Sequence, residues 1–300
     1  MLSGVTREAT ATSCPVCGGV EFEPLFSAPD RLGLVPDRFQ VRRCRGCGLG
    51  MTWPPAGEAD LARFYPDEYW GESAEPEQAW IERSQREKTS LVERHLPRGG
   101  RLLDVGCGAG FFLRALSPSR WDRWGVEISP RSAAAAERHL GEGCVFAGRL
   151  ADAPFEDASF DTVAFWASLE HVTDPRADLE TARRLLRPSG LLVVQVPNFA
   201  SYQSRRFGAD WFALDLPRHR VHFAPDTLER LLAETGFAPV EMLYRSETHD
   251  PHALKQSLKS RLVARPAPLG RLRYYAAAPF LKLVDRLAGG ATLTAVFRRA

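Results

Sequence analysis

A short apolar run that ends in a glycine-rich loop most constrains how this chain can fold. The run Leu102–Val105 is followed by alternating glycines, Gly106, Gly108 and Gly110, and by a helical pattern from Phe111. Glycines allow positive φ and a close approach of backbone to a ligand, and a helix N-terminus offers free N–H groups. The stretch therefore predicts a strand, loop and helix that bind a small polar molecule.

Apolar runs alternate with helical patterns along the rest of the chain. The predicted strands are Arg101–Val105, Arg123–Ile128, Cys144–Phe146, Thr162–Trp166, Leu191–Val196, Val240–Tyr244 and Leu293–Phe297. Three dipeptides that each contain one proline predict helix starts: Ser129-Pro130, Asp174-Pro175 and Pro225-Asp226. This alternation predicts an α/β fold with a doubly wound, mostly parallel sheet, whose ligands bind beyond the carboxyl ends of the strands.

Four of the six cysteines form two C-x-x-C-G pairs, which predict a metal site rather than a disulfide framework. The pairs are Cys14 with Cys17 and Cys44 with Cys47. Four thiolates complete a tetrahedral Zn²⁺ site and leave no position for water, so the predicted zinc is structural. Redox-active thiol pairs are the alternative, but the glycine after each second cysteine favours zinc.

These features divide the chain into three predicted parts. Residues 1–55 form a zinc-binding module, a zinc ribbon, and residues 56–99 form a linker and an N-terminal helical region. Residues 100–300 form the sheet domain, with a helical insertion at 252–290 before the last strand. Pro279 is expected to kink or divide the second helix of the insertion.

Charge is distributed unevenly along the chain. The last fifty residues carry ten basic residues and one acid, Asp285, whereas the whole chain has a net charge of +2. This basic tail is interpreted as a solvated helical lid, with contact to a membrane surface or a pyrophosphate as the alternative. Residues 1–55 hold six basic and five acidic residues, too balanced for a nucleic-acid surface. Without a leader pattern or a long apolar run, a cytoplasmic location is expected.

A second acid strengthens the prediction from the glycine loop. Glu127 ends the next strand, 23 residues after Asp104, where a carboxylate can accept both hydroxyls of a ribose. Together with Glu127, an ordered series of motifs resembles the class I S-adenosylmethionine (SAM)-dependent methyltransferases: Leu103–Gly110, Phe160-Asp161, Leu169–Val172 and Leu186–Gly190.

The resemblance implies a seven-stranded sheet whose last strand is antiparallel, and SAM as the cofactor. It implies that Asp104 and the glycine loop lie near the cofactor, that Glu127 binds the ribose, and that Trp166 lies beside the bound molecule. Many relatives carry an acid after the third strand for the adenine amino group, whereas this chain has Gly148-Arg149-Leu150. Asp152 or the backbone of Leu150 is expected to replace that acid.

The front of the chain carries a narrower resemblance. The cysteine pairs, followed by Phe64-Tyr65-Pro66 and Tyr69-Trp70, are similar to zinc-containing bacterial methyltransferases of sugar and surface-glycan biosynthesis. The implied acceptor is a sugar nucleotide, a glycan precursor or a similar small anionic molecule. The alternatives are a zinc-containing ribosomal RNA methyltransferase and a SAM-binding assembly protein without transferase activity.

Three histidines are candidates for taking a proton from the acceptor. His171 follows the fourth strand, where it serves as base or as a positioning residue, and His219 and His222 lie in a segment expected near the reactive methyl. Three residues apart, the latter two share a face of a helical turn but point to opposite sides of an extended segment. Glu170-His171 is similar to the acid-x-x-acid-His site of ubiquinone-biosynthesis O-methyltransferases, but Ala167 replaces the first acid. A catalytic metal is therefore not predicted.

Overall fold

Two β-sheets organise the part of the chain that the structure describes. The structure is a computed structural model that describes residues 12–55, 60–65, 78–262, 280, 283 and 290–300. Its strands are β1 (Phe22–Pro29), β2 (Arg38–Cys44), β3 (Gly50–Trp53), β4 (Gly100–Val105), β5 (Trp121–Glu127), β6 (Val145–Ala147), β7 (Phe160–Trp166), β8 (Leu186–Pro197), β9 (Val221–His222), β10 (Phe237–Leu243) and β11 (Thr292–Arg299). Its α-helices are α1 (Leu61–Phe64), α2 (Gln78–His95), α3 (Phe111–Ala115), α4 (Pro130–Leu140), α5 (Pro175–Leu185), α6 (Tyr202–Phe207), α7 (Pro225–Glu234) and α8 (His249–Leu262).

The larger sheet has seven strands in the order β10-β11-β8-β7-β4-β5-β6. Strand β11 is antiparallel to both of its neighbours, and the other pairs are parallel. This is a Rossmann-like sheet, and the expected seven strands with an antiparallel last strand are confirmed. Strand β8 begins at Leu186, five residues before the predicted Leu191, because Leu186 pairs with Phe160 before a register shift.

Side-chain caps explain why two of the helices begin where the sequence predicts. The Ser129 hydroxyl accepts a hydrogen bond from the N–H of Ser132 at the start of α4. The Asp174 carboxylate accepts hydrogen bonds from the N–H groups of Arg176 and Ala177 at the start of α5. These bonds satisfy N–H groups that have no partner inside the helix, and a proline follows each capping residue.

The larger sheet has a buried apolar centre and a polar edge at the carboxyl ends of the three adjacent strands β5, β4 and β7. Leu103, Val163, Phe165 and Val194 are fully buried in the middle of the sheet. Strands β5, β4 and β7 are neighbours. Their carboxyl ends lead into Glu127, the glycine loop and the segment 167–171. Parallel strands end at the same edge, so these three segments converge.

The smaller sheet joins residues 12–55, called the N-terminal cysteine region below, to the rest of the chain. Its strand order is β1-β2-β3-β9, and its last strand comes from residues 221–222. Gly50 pairs with His222, and a Cβ at Gly50 would lie 2.9 Å from the His222 Cβ, so only glycine fits this close approach. The sheet therefore extends beyond the predicted module of residues 1–55, whose boundary stays a prediction.

Helix α8 is the part of the predicted insertion that the structure describes most fully. It begins at His249, and Leu254 and Leu258 face the core as the helical pattern predicts. Most of residues 263–289, including Pro279 and the basic positions near it, lie outside the described residues. Within the described ranges, no helix is long and apolar enough to span a bilayer.

Candidate active site

The three glycines of the loop after β4 serve different purposes. All three have positive φ. A Cβ at Gly106 would lie 2.6 Å from the Ser168 Cβ, and one at Gly110 would lie 3.0 Å from the Ala136 Cβ. Gly106 and Gly110 therefore permit close packing within the protein. A Cβ at Gly108 would meet no atom within 4 Å, so open space lies beside Gly108.

Glu127 is fixed against the glycine loop by two backbone N–H groups. Its Oε2 accepts a hydrogen bond of 2.8 Å from Gly108, and its Oε1 accepts one of 2.8 Å from Ser129. Burial raises the pKa of Glu127, and the two backbone donors oppose this rise. Each carboxylate oxygen keeps a second lone pair, so the held carboxylate can still accept hydrogen bonds from a diol.

Two buried carboxyl groups at this edge have oxygens with no hydrogen-bond partner among the described residues. Asp104 at the end of β4 is 2% exposed and its Oδ1 is unpaired, and Glu170 is 1% exposed with both oxygens unpaired. Burial raises the pKa of Asp104 to about 7, against the opposing charge of Lys88. Burial also raises the pKa of Glu170 to about 8. Such groups are costly unless a ligand supplies a donor or a positive charge.

These unpaired oxygens and the open space at Gly108 fit the cofactor SAM. SAM carries a sulfonium and an ammonium group, both positive, and a ribose with two hydroxyls. The chain presents two buried carboxyls and the oriented Glu127 carboxylate at one edge. The donor set therefore matches the charges and hydroxyls of this cofactor.

The remaining predicted cofactor residues lie around the same edge with unequal exposure. Trp166 is buried at the end of β7, with its ring 5.3 Å from that of Phe112 and from the Lys88 Nζ. Leu150 and Asp152 occupy a short 3₁₀ helix after β6, where Leu150 is buried and Asp152 is exposed. The Asp152 carboxylate is thus free of the core, whereas the Leu150 side chain belongs to it.

His171 and His219 lie against each other. Their ring centres are 4.6 Å apart, and the rings are nearly perpendicular. The His171 Nδ1 lies 2.8 Å from the Tyr65 hydroxyl oxygen. The His219 Nδ1 lies 3.0 Å from the Ala213 carbonyl oxygen, which can only accept, so Nδ1 carries the proton. The His219 Nε2 therefore holds a lone pair, and it lies 3.9 Å from the Glu170 Oε1.

His222 lies apart from this pair because its strand is extended. It belongs to β9, and its Nε2 forms a hydrogen bond of 3.0 Å with the Thr52 hydroxyl. Burial lowers the pKa of His171 to about 4 and that of His222 to about 3, and it lowers the pKa of His219 well below its usual value. All three rings are therefore neutral at pH 7. Neutral imidazole is the form that accepts a proton.

Glu170, His171 and His219 also form a possible donor set for a metal ion. One ligand atom from each lies within 4.8 Å of the others. His219 joins this set only through the fold, because 48 residues separate it from His171 in the sequence. The expectation that no catalytic metal binds stays a prediction.

The four cysteines of the two C-x-x-C-G pairs converge as the sequence predicts. Their sulfur atoms lie within 4.8 Å of one another, with 3.5 Å between Cys14 and Cys47 and between Cys17 and Cys44. Four convergent sulfurs are the donor set of a structural zinc site. The arrangement fits zinc, and no open coordination position remains for chemistry.

Several residues at the site carry no local signal in the sequence. Tyr65 and Thr52 reach the histidines across 106 and 170 residues. Lys88 extends from α2 toward Trp166 and Asp104. Ile128 is 50% exposed, and the one sequence signal that could have identified it is its place directly after Glu127, the acid predicted to bind a ribose.

Comparison with known proteins places this chain in a family. The family model described as "Methyltransferase domain" matches residues 79–242. The ubiquinone biosynthesis O-methyltransferase of Cereibacter sphaeroides is 32% identical over 154 residues, which are 48% of this chain and 62% of that protein. The protein of the same name from Methylococcus capsulatus is 30% identical over 163 residues, 50% of this chain and 68% of that protein. The N-terminal cysteine region precedes the family match.

Solved structures share the fold at low sequence identity. A SAM-dependent methyltransferase from Thermotoga maritima has a TM-score of 0.50 at 19% identity, and the match covers 79% of this chain and 97% of that one. The [4+2]-cyclase SpnF has a TM-score of 0.50 at 24% identity, covering 72% and 80%. Because a cyclase shares this fold, the fold alone does not set the chemistry. The family match shows that this chain belongs to the methyltransferase domain family and is a class I SAM-dependent methyltransferase.

Proposed function

We propose that this enzyme methylates a hydroxyl oxygen of a small molecule and that His171 and His219 take up the acceptor's proton. The observation that carries the proposal is the pair of neutral rings held against each other beside the buried carboxyl of Glu170. SAM supplies an electrophilic methyl group when bound. The protein then has to align the acceptor with that methyl and remove a proton.

The His219 Nε2 is the proposed site of proton uptake. Nε2 keeps a lone pair because the ring proton is on Nδ1, which donates to the Ala213 carbonyl. A ring whose pKa lies well below 7 stays unprotonated before the reaction. The carboxylate of Asp215, whose pKa is lowered to about 2, would stabilise the imidazolium as it forms. His171 and its Tyr65 partner form a second route for the same proton.

We propose that the cofactor lies along the edge formed by β5, β4 and β7. Glu127 would accept the ribose hydroxyls, and Gly108 would leave space for the cofactor. Asp104, with Trp166 beside it, would face its positive groups. Ile128 would contact its base, with Asp152 or the backbone of Leu150 at the adenine amino group. The unpaired buried oxygen of Asp104 is the strongest support for this placement.

The acceptor class is proposed from the relatives and from the sequence. The matched curated relatives are named as O-methyltransferases, which favours oxygen as the accepting atom. A sugar nucleotide or glycan precursor stays a prediction, because the curated relatives reported above are named for ubiquinone biosynthesis. The cysteine region lies outside the family match and contacts the histidines, so acceptor specificity can differ from that of the relatives.

Methyl transfer from labelled SAM tests this proposal. The zinc-loaded protein is given a catechol and a nucleoside-diphosphate sugar in separate reactions, and the product mass and S-adenosylhomocysteine are measured. We expect a methyl ether on at least one acceptor. His171→Ala and His219→Ala should each lower kcat about 100-fold or more. His139→Ala, an exposed histidine on α4, is the matched control.

Three outcomes would contradict the proposal. Full turnover in both histidine variants would exclude them as bases. A product methylated on carbon or nitrogen would exclude oxygen as the accepting atom. Activity only on RNA, with steep salt dependence, would favour the ribosomal RNA alternative.

A further inference from the structure

We infer that the N-terminal cysteine region positions the catalytic histidines, and that Thr52 is the positioning residue that makes the connection. The inference rests on the proposed role of His219. It concerns the segment 215–222, called the histidine segment below, which the strand β3 holds from one side and Glu170 from the other.

Thr52 forms three hydrogen bonds with the histidine segment. Its backbone N–H donates to the Arg220 carbonyl at 2.9 Å, and its hydroxyl donates to the His219 carbonyl. Because the hydroxyl hydrogen points to that carbonyl, the hydroxyl oxygen accepts from the His222 Nε2–H at 3.0 Å. One buried side chain thus fixes the backbone of His219 and the ring of His222.

A buried ion pair provides a second connection between the same two regions. The side chains of Arg218 and Asp30 are fully buried, and both terminal nitrogens of Arg218 donate to the Asp30 carboxylate. Arg218 also bonds Asp215 at 2.9 Å. The Asp30 carboxylate accepts further bonds from the N–H groups of Leu32, Leu34 and Val35. Removing one partner of such a pair leaves a buried charge uncompensated.

The other side of the histidine segment is bound to the second half of the site. The N–H groups of Arg220 and Val221 both donate to the Glu170 carbonyl, at 2.8 and 3.2 Å. Glu170 precedes His171 directly. The distance between His219 and the Glu170–His171 pair is therefore set by backbone hydrogen bonds that begin at Thr52.

The cysteine site connects to Thr52 through a hairpin. Strand β2 ends at Cys44, and β3 begins at Gly50. The Cys44 N–H donates to the carbonyl of Leu49, the residue before β3. Arg176 of α5 donates to the carbonyls of Pro15 and Val16 in the first cysteine pair. Metal binding would order both cysteine pairs and, through β2 and β3, the position of Thr52.

The variant Thr52→Val tests the inference, since valine keeps the shape and removes the hydroxyl. We expect kcat to fall about 10- to 100-fold, because small displacements of a catalytic group are costly. The Kd for SAM should stay within about twofold, since the Thr52 hydroxyl bonds His219 and His222 and not the residues proposed to bind the cofactor. Thr52→Ser keeps the hydroxyl and should keep most of the wild-type kcat. Thr235 is a buried threonine whose hydroxyl donates to the Leu231 carbonyl, and the control variant Thr235→Val should leave kcat unchanged.

Nitrogen NMR of the histidine rings supplies a readout besides activity. In the wild-type protein we expect the proton on Nε2 of His222 and on Nδ1 of His219. In Thr52→Val, the His222 Nε2 signal should shift while that of His139 stays unchanged. The opposite tautomers in the wild-type protein would overturn the inference even if Thr52→Val does not fold.

A side-by-side His219→Ala measurement separates this inference from the proposed function. If His219→Ala loses activity but Thr52→Val keeps full kcat, the positioning role is wrong and the proposed base stands. If His219→Ala keeps full activity, the proposed base is wrong. A loss of kcat in Thr52→Val with an equal loss in Thr235→Val would mean general destabilisation and would also overturn the inference.

Discussion

The Tyr65 hydroxyl oxygen lies 2.8 Å from the His171 Nδ1, although 106 residues separate the two in the sequence. This bond brings the segment after α1 into the proposed proton path. Tyr65→Phe keeps the ring and removes the hydroxyl. We expect kcat to fall roughly five- to tenfold, the effect of one hydrogen bond of about 1–1.5 kcal/mol.

Steady-state kinetics with saturating SAM measures the effect of Tyr65→Phe. Tyr244→Phe, at an exposed position outside the site, is the matched control. A kcat equal to that of the wild-type enzyme would show that the Tyr65 bond does not contribute to turnover.

SAM affinity should rise with pH between about 6 and 8. The pKa of Asp104, raised by burial to about 7, means that much of this carboxyl is protonated at the lower end of that range. A positive cofactor binds the ionised form better, so binding releases a proton and Kd falls as pH increases. The limiting slope from this one group is about tenfold per pH unit below its pKa.

Calorimetry in two buffers of different ionisation enthalpy measures that proton release. Asp104→Asn should bind SAM more weakly and lose most of the pH dependence. The same pH dependence in Asp104→Asn would assign it to Glu170 or to another group at the edge.

The raised pKa of Asp104 also affects stability. Its folded-state pKa lies above that of the unfolded chain, so the group stabilises the fold at low pH. That contribution is lost as pH rises from about 4 to about 7. Urea unfolding of Asp104→Asn without cofactor should therefore depend less on pH in this window than unfolding of the wild-type protein.

Glu127→Gln should weaken SAM binding by about 10- to 100-fold. An amide nitrogen cannot accept a hydrogen bond, so the variant loses one of the two backbone bonds from Gly108 and Ser129 as well as the charge. Calorimetric Kd values test this, with the exposed Glu142→Gln as the control. An unchanged Kd in Glu127→Gln would place the ribose elsewhere.

One zinc ion per chain is expected at the four cysteines. Cys44→Ser should lose the metal and lower the melting temperature by roughly 5–10 °C, because a structural metal contributes folding free energy. Elemental analysis and thermal unfolding measure the two effects. Cys144→Ser, at a cysteine outside the cluster, should keep both values. Metal-free wild-type protein of unchanged stability would contradict a structural role.

The main sheet could be predicted because its signals are local. Alternating runs located all seven strands, and Ser129 and Asp174 marked the helix starts through their capping bonds. Glu127 followed from its distance to Asp104 along two adjacent strands. The cysteine cluster followed from two short spacings. In each case the informative residues are near one another in sequence or on neighbouring elements.

The contacts around the histidines could not be predicted in this way. Thr52 meets His219 across 167 residues, and Asp30 meets Arg218 across 188. No periodicity encodes such pairs, because they depend on how two sheets are placed together. The spacing of His219 and His222 left their orientation open, and the strand β9 directs His222 to Thr52 instead of to His171.

Strand β9 has a consequence for how the protein is made. Strand β3 pairs with β9, which is translated about 170 residues after it, so one edge of β3 stays unpaired until then. At about 5–20 residues per second, the delay is on the order of 10–30 s. During that interval the nascent chain carries an open strand edge, a site for pairing with other chains. The smaller sheet can therefore be completed only after residues 221–222 are translated, well after its other three strands.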